Sequence, residues 1–192
     1  MTAQLPLFPL NTVLFPGGLL PLRIFETRYV DMVRRCLRAD QTFGVVLIDG
    51  GSDTDREVRT AGIGTSARIV DFQPLEDGLL GLLCRGEQRF RIGARSRRED
   101  GLNCASVEWI EDAKGVPVAA QFQRLVPLLR QAMANMTTIG RFIEPDYEDA
   151  AWVSHRLAEL LPLDQILQQR LLEIDAPEAR LALLAPLIEA QS

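Results

Sequence analysis

Lysine and histidine are almost absent from the 192 residues: Lys114 is the only lysine and His155 the only histidine, against 20 arginines. The lysine stands in Ala113-Lys114-Gly115, so the chain has no Gly-Lys-Ser/Thr loop to hold a nucleotide phosphate. Cysteine is scarce and unpatterned. Cys36, Cys84 and Cys104 form no Cys-x-x-Cys and no Cys/His pair at metal spacing. They read as small core residues of a protein kept in a reducing compartment. No run of about 18 apolar residues is present to span a bilayer. Residues 1–10 lack a basic flank and are broken by Pro6 and Pro9, unlike a secretion signal. No membrane association is expected, and a cytoplasmic location is. The net charge of −5 argues against general nucleic-acid binding. What the chain does have is 47% hydrophobic and 24% charged residues, the balance of a globular protein long enough to bury a core without metal or disulfide.

Two segments read differently. Residues 1–115 are short apolar runs punctuated by glycine and proline, with one helical insert, and residues 116–192 carry helical periodicity. Lys114-Gly115 marks the expected boundary. In the first segment, residues 4–9 predict an edge or irregular strand because of their two prolines. Residues 13–15 run into the turn Pro16-Gly17-Gly18, and residues 19–24 predict a second strand. Residues 26–38 predict a helix, with Tyr29, Met32, Val33, Cys36 and Leu37 on one face. Strands are expected at 43–48, 63–72, 79–85 and 104–110, with a turn at Glu76-Asp77-Gly78. Arg89-Phe90-Arg91-Ile92 alternates, which points Phe90 and Ile92 inward and the arginines outward.

Four helices are expected in the second segment. Residues 118–135 carry Phe122, Leu125, Val126 and Leu129 on a face, with Pro127 forcing a kink or early break. Residues 149–161 follow, stopped by Pro162. Asp164 is placed to cap residues 165–173. Asp175, Pro177 and Glu178 predict the start of a last helix striped by Leu181, Leu184 and Ile188.

Little of this carries chemistry. His155 has only its chain neighbour Ser154 as a nearby hydroxyl, and the two face different ways on a helix. It reads as a satisfied or surface residue. Gly62-Ile63-Gly64 lacks the third glycine and the following helix of a dinucleotide loop. Asp49, Asp53 and Asp55 do not match a calcium loop. Glu144, Asp146, Glu148 and Asp149 precede a helix, where negative charge is favoured. No catalytic residue, cofactor site or metal site emerges, so a non-enzymatic protein is expected. One basic concentration exists, Arg85, Arg89, Arg91, Arg95, Arg97 and Arg98. It is diluted by Glu87, Glu99 and Asp100 and lacks interleaved aromatics to stack on bases.

The run Leu5-Pro-Leu-Phe-Pro-Leu-Asn-Thr-Val-Leu-Phe-Pro-Gly-Gly-Leu-Leu-Pro-Leu-Arg-Ile-Phe-Glu-Thr-Arg-Tyr29 resembles the opening of the Lon protease N-terminal domain. Further matches follow in order: Phe43-Gly44-Val45-Val46, residues 62–67, Gly86 with Arg89-Phe90, Val107-Glu108, Leu161-Pro162-Leu163, residues 171–175 and Arg180-Leu181. The resemblance covers about residues 5–188. It implies an α+β fold in which a PUA-like mixed β pseudo-barrel with one helix precedes a helical bundle. It also implies a stand-alone substrate-binding domain without ATPase or protease modules.

The function this implies is recognition of exposed hydrophobic or unfolded polypeptide segments, as an adaptor to a protease or chaperone. The apolar, turn-rich residues Phe15, Pro16, Leu19, Leu20 and Pro21, with Arg23, Glu26 and Tyr29 beside them, are the expected contact surface. The structural alternatives are that the apolar segment closes one end of the barrel and that Arg23 pairs with Glu26 at the strand-to-helix corner. Two other functions stay open: RNA binding through residues 85–98, and a small ligand in the barrel.

Overall fold

A computed structural model of the chain describes residues 3–50, 59–76, 79–136 and 142–189. Seven strands are described: β1 (Ala3–Leu10), β2 (Leu19–Ile24), β3 (Phe43–Gly50), β4 (Arg59–Thr60), β5 (Ile63–Pro74), β6 (Leu80–Arg97) and β7 (Asn103–Ile110). The helices are α1 (Thr27–Ala39), α2 (Leu125–Ala134), α3 (Ala150–Leu160), α4 (Gln165–Glu173) and α5 (Pro177–Glu189), with a 3-10 turn at Ala120–Phe122. The architecture is α+β, a mixed pseudo-barrel with one helical insert, then a helical layer.

The barrel closes through β1, because β1 pairs antiparallel with β7 over Ala3–Pro6 and parallel with β3 over Leu7–Leu10. Each half of β1 has a registered partner on one side, which leaves room for prolines inside a strand. The ring continues β7–β6–β5–β3. The two strands expected at 79–85 and 89–92 are one 18-residue strand, β6. Its first part lies between β2 and β5, and its second part between β7 and β5. The barrel interior is filled by Leu5, Leu7, Val46, Phe90, Ala105 and Val107.

Helix α1 buries Tyr29, Met32, Val33 and Cys36 against Phe8, Phe43, Leu82 and Cys84. At roughly 1.5–3 kcal/mol for each fully buried large apolar side chain, this stripe holds the helix on the sheet. All three cysteines are free and buried. Burial pushes the Cys84 thiol up to about 12, with the nearby Cys36 adding to it.

The helical layer covers the outer face of the barrel. Val13, Phe15, Leu47 and Ile63 share one core with Phe122, Leu125, Leu129, Val153, Leu171, Leu181 and Leu184. Residues 115–118 are tied to the start of α3: Gly115 N–H donates to Asp149 Oδ2 at 2.6 Å, and Ala150 N–H to the Val116 carbonyl at 2.8 Å. The single helix expected at 118–135 is divided. The 3-10 turn comes first, and Pro127 sits in the first turn of α2, where a missing N–H costs nothing. Asp149 and Asp164 accept from the N–H of Trp152 and Leu167, each at 2.8 Å, as N-caps do. Asp175 is not a cap: α5 begins at Pro177, and the Asp175 carboxylate instead accepts from Arg89 at 3.0 Å.

Candidate functional site

The apolar segment after β1 forms a strap between barrel and helices. Pro16 and Gly17 are the central residues of a turn closed by Gly18 N–H to the Phe15 carbonyl at 2.9 Å, and Gly17 has φ +74°, a conformation that favours glycine. Gly17 N–H donates to the Gly86 carbonyl and Gly86 N–H to the Gly18 carbonyl, both at 2.8 Å. The two chains cross so closely that a Cβ on Gly86 would lie 2.2 Å from the Phe15 carbonyl oxygen.

Helix α3 holds the strap from its other side. Arg156 Nη2 donates to the Pro16 carbonyl at 2.8 Å, Arg156 pairs with Glu159, and Glu159 Oε1 accepts from Leu19 N–H at 3.2 Å. Burial raises the Glu159 carboxyl above its ordinary range, against the pull of the Arg156 guanidinium. His155 is neither at the surface nor satisfied. It is 2% exposed, its Nε2 has no hydrogen-bond partner among the described residues, and its ring lies 5.9 Å from that of Phe15. Burial, then the charges of Arg180, Arg156 and Arg89, hold it well below the usual imidazole range.

The expected contact residues therefore separate. Phe15 and Leu19 are buried in the strap and Tyr29 beneath α1, where a partner does not reach them. Pro16 and Leu20 are half-buried, and Leu20 packs on the α1 core. Pro21 and Arg23 are exposed on β2. Glu26 is half-buried and takes Arg28 at 2.9 Å, and Arg28 also stacks on the Tyr29 ring at 4.7 Å.

Two residues that the sequence reading passed over stand out at the same ribbon. Phe25, just after β2, is 71% exposed, and Phe72 of β5 is 58% exposed. The register Leu22–Leu82–Phe72 and Ile24–Leu80–Pro74 sets them at one end of the β2–β6–β5 ribbon. Half-buried Leu20, Leu22 and Leu80 share the face of Phe72, and Phe25 follows Ile24 at the same end. A sequence signal was present for Phe25 alone. Leu20, Leu22 and Ile24 occupy one face of β2, so the next residue, Phe25, falls off it. A register shift between Ile69 and Asp71 turns Phe72 onto the face of Leu82.

The outer edge of β2 offers little to an added strand. Leu19 N–H is taken by Glu159 and Pro21 has no N–H. Beside the strap lies a cavity of about 810 Å³ lined by Gly17, Arg85, Gln88, Lys114, Glu144 and Trp152, of mixed charge.

The arginine concentration is dispersed. Arg89 lies on the outer face of the barrel, as alternation requires, but the helices cover that face and leave it 0% exposed. Arg98 pairs with Asp100 at 3.4 Å, whereas Arg91, Arg95 and Arg97 are exposed. Among the described residues no group of three His, Cys, Asp or Glu side chains is placed to hold a metal ion, and Asp53 and Asp55 lie outside those residues. No described helix is long and apolar enough to cross a membrane.

This fold and sequence have clear relatives. A solved Lon N-terminal domain protein from Xanthomonas campestris is 38% identical, with a TM-score of 0.80 over 96% of this chain and 98% of that one. The N-terminal domain of a Mycobacterium avium complex Lon protease, 16% identical with a TM-score of 0.63 over 95% of this chain and 96% of that one, shares the fold. Lon protease 2 of Myxococcus xanthus is 29% identical over 96% of this chain but only 23% of its own length. The chain thus spans about a quarter of the length of the curated Lon proteases it matches. The sequence profile of the ATP-dependent protease La (LON) substrate-binding domain matches residues 4–190, and the chain belongs to that family.

Proposed function

We propose that this protein is a polypeptide-binding module that takes apolar segments of non-native proteins on the exposed end of the β2–β6–β5 ribbon. The observation that carries the reading is that Phe25 and Phe72, at one end of the same ribbon, are both more than half exposed in a chain of the substrate-binding family. Large aromatic side chains left in water beside half-buried leucines favour an apolar partner. Pro21, Leu20 and Arg23 border this surface and belong to the contact; the strap and Glu26 position it. Barrel segment 1–115 and helical segment 116–192 act together, since the strap that orients β2 is held by α3. Delivery of the bound segment to a protease or chaperone is the adaptor role that fits.

The test is fluorescence anisotropy of a labelled, permanently unfolded protein titrated with the chain at low and high salt. Each phenylalanine that becomes buried contributes about 1.5–3 kcal/mol, so Phe25→Asp with Phe72→Asp weakens binding at least about tenfold. The thermal midpoint should hold, and binding should tolerate salt. Unchanged affinity in the folded double variant removes this surface from the function.

A further inference from the structure

The strap covers a buried nitrogen that has nothing to bond. His155 Nε2 has no hydrogen-bond partner among the described residues, and its ring faces Phe15 of the strap. The charges that act on the ring are those of Arg180 in α5, Arg156 in α3 and Arg89 in β6. Glu159 pairs with Arg156, and Asp112 and Asp175 pair with Arg89. Arg180 donates to neutral oxygens alone among the described residues: the Leu171 and Ile174 carbonyls and Ser154 Oγ, the last at 2.7 Å. A protonated ring would therefore aim an Nε2–H at no acceptor, close to an arginine that no carboxylate bonds. The closed strap and a charged His155 do not fit together.

We propose that the strap is an acid-sensitive latch: lifting residues 13–18 off α3 admits water to His155, and this opening precedes any loss of the barrel. The strap has no helix or strand of its own. Two hydrogen bonds join it to Gly86, and those at Pro16 and Leu19 come from Arg156 and Glu159, within one helical turn of His155. Its residues take no part in the β1–β7–β6–β5–β3 pairing, so the ring of strands stays closed when the strap lifts. Leu19 starts β2, so the latch frees the beginning of the ribbon's outer strand, whatever the ribbon binds. A hydrated ring returns to its ordinary value near 6.5. The opening constant then rises about tenfold between roughly pH 7.5 and 5.5. Glu159 acts in the opposite sense, because its raised carboxyl takes a proton more readily in the closed state.

The experiment is amide hydrogen exchange of the full chain, read by NMR at roughly pH 7.5 and 5.5 and corrected for the intrinsic pH dependence of exchange. Relative to His155→Phe, which keeps Glu159, the native chain should lose about tenfold protection at Gly17, Leu19 and Gly86 on going to the lower pH. These amides should also exchange at least about tenfold faster than those of Thr65 and Ala67, which lie in β5 between two strands. His155 is the only histidine, so its ring gives a single titrating signal. That signal should stay neutral down to about pH 5.5 in the closed state, a reading that needs no variant. A ring that titrates near 6.5 while the strap amides stay protected overturns the latch. So does an equal loss of protection in His155→Phe. Strap and β5 amides that share one protection and lose it together also overturn it, because the whole chain then unfolds at once.

Discussion

Replacing Arg89 by methionine should cost more stability than any other single arginine change on the barrel. The guanidinium donates from Nη1 to the Leu172 carbonyl at 2.8 Å and from Nε to Asp112 at 2.9 Å, and pairs through Nη2 with Asp175. Methionine fills much of the same space but donates nothing. The Leu172 carbonyl then loses a charge-assisted bond in a buried position, and Asp112, 15% exposed, keeps a carboxylate without its cation. Asp175 is 73% exposed and loses little, and the Ile174 carbonyl retains Arg180. Together these losses come to about 3–4 kcal/mol. With a urea slope of about 2 kcal/mol per molar, the midpoint of a circular-dichroism unfolding curve falls by about 1.5–2 M. Arg91→Met, two residues along on the same strand but exposed, should move the same curve by less than about 0.5 kcal/mol. A loss below about 1 kcal/mol for Arg89→Met would refute the claim that this side chain fastens helices to barrel.

The junction makes two further predictions. Unfolded His155 titrates near its ordinary 6.5 and folded His155 well below it. Stability should therefore be flat above pH 6.5 and fall as pH drops below it, by up to about 1.4 kcal/mol per unit. The raised Glu159 carboxyl works in the opposite sense in acid, so the comparison is with His155→Phe, which keeps Glu159 and should flatten the curve between pH 6.5 and 5. Gly86→Ala forces its Cβ against the Phe15 backbone and should cost about 1–3 kcal/mol, read as a lowered thermal midpoint.

Local patterning carried most of the fold. The apolar stripe of α1, the caps Asp149 and Asp164 and the strand periodicities each follow from spacing, because each is decided within a few residues. The junction did not follow. Alternation along Arg89-Phe90 assigns the two sides of a strand, but it does not say that the outer side meets a second layer rather than water. For the same reason Asp175 read as a cap, when a guanidinium 86 residues away in sequence claims it. The strap shows the same limit. Phe15 and Leu19 look like a sticky surface in sequence, yet α3 closes over them through Arg156 and Glu159. Phe25 was legible as the residue after an alternating strand, but the face of Phe72 and the position of both at one ribbon end needed the β2–β6–β5 register.

Amide hydrogen exchange with and without a saturating unfolded polypeptide tests the central claim most directly. Contact at the ribbon end predicts slowed exchange over residues 20–25, 69–75 and 79–83, with the strap and the β6–β7 side of the barrel unchanged. Protection confined to the cavity beside Lys114 and Trp152, or no change along the ribbon while the polypeptide is bound, would contradict it.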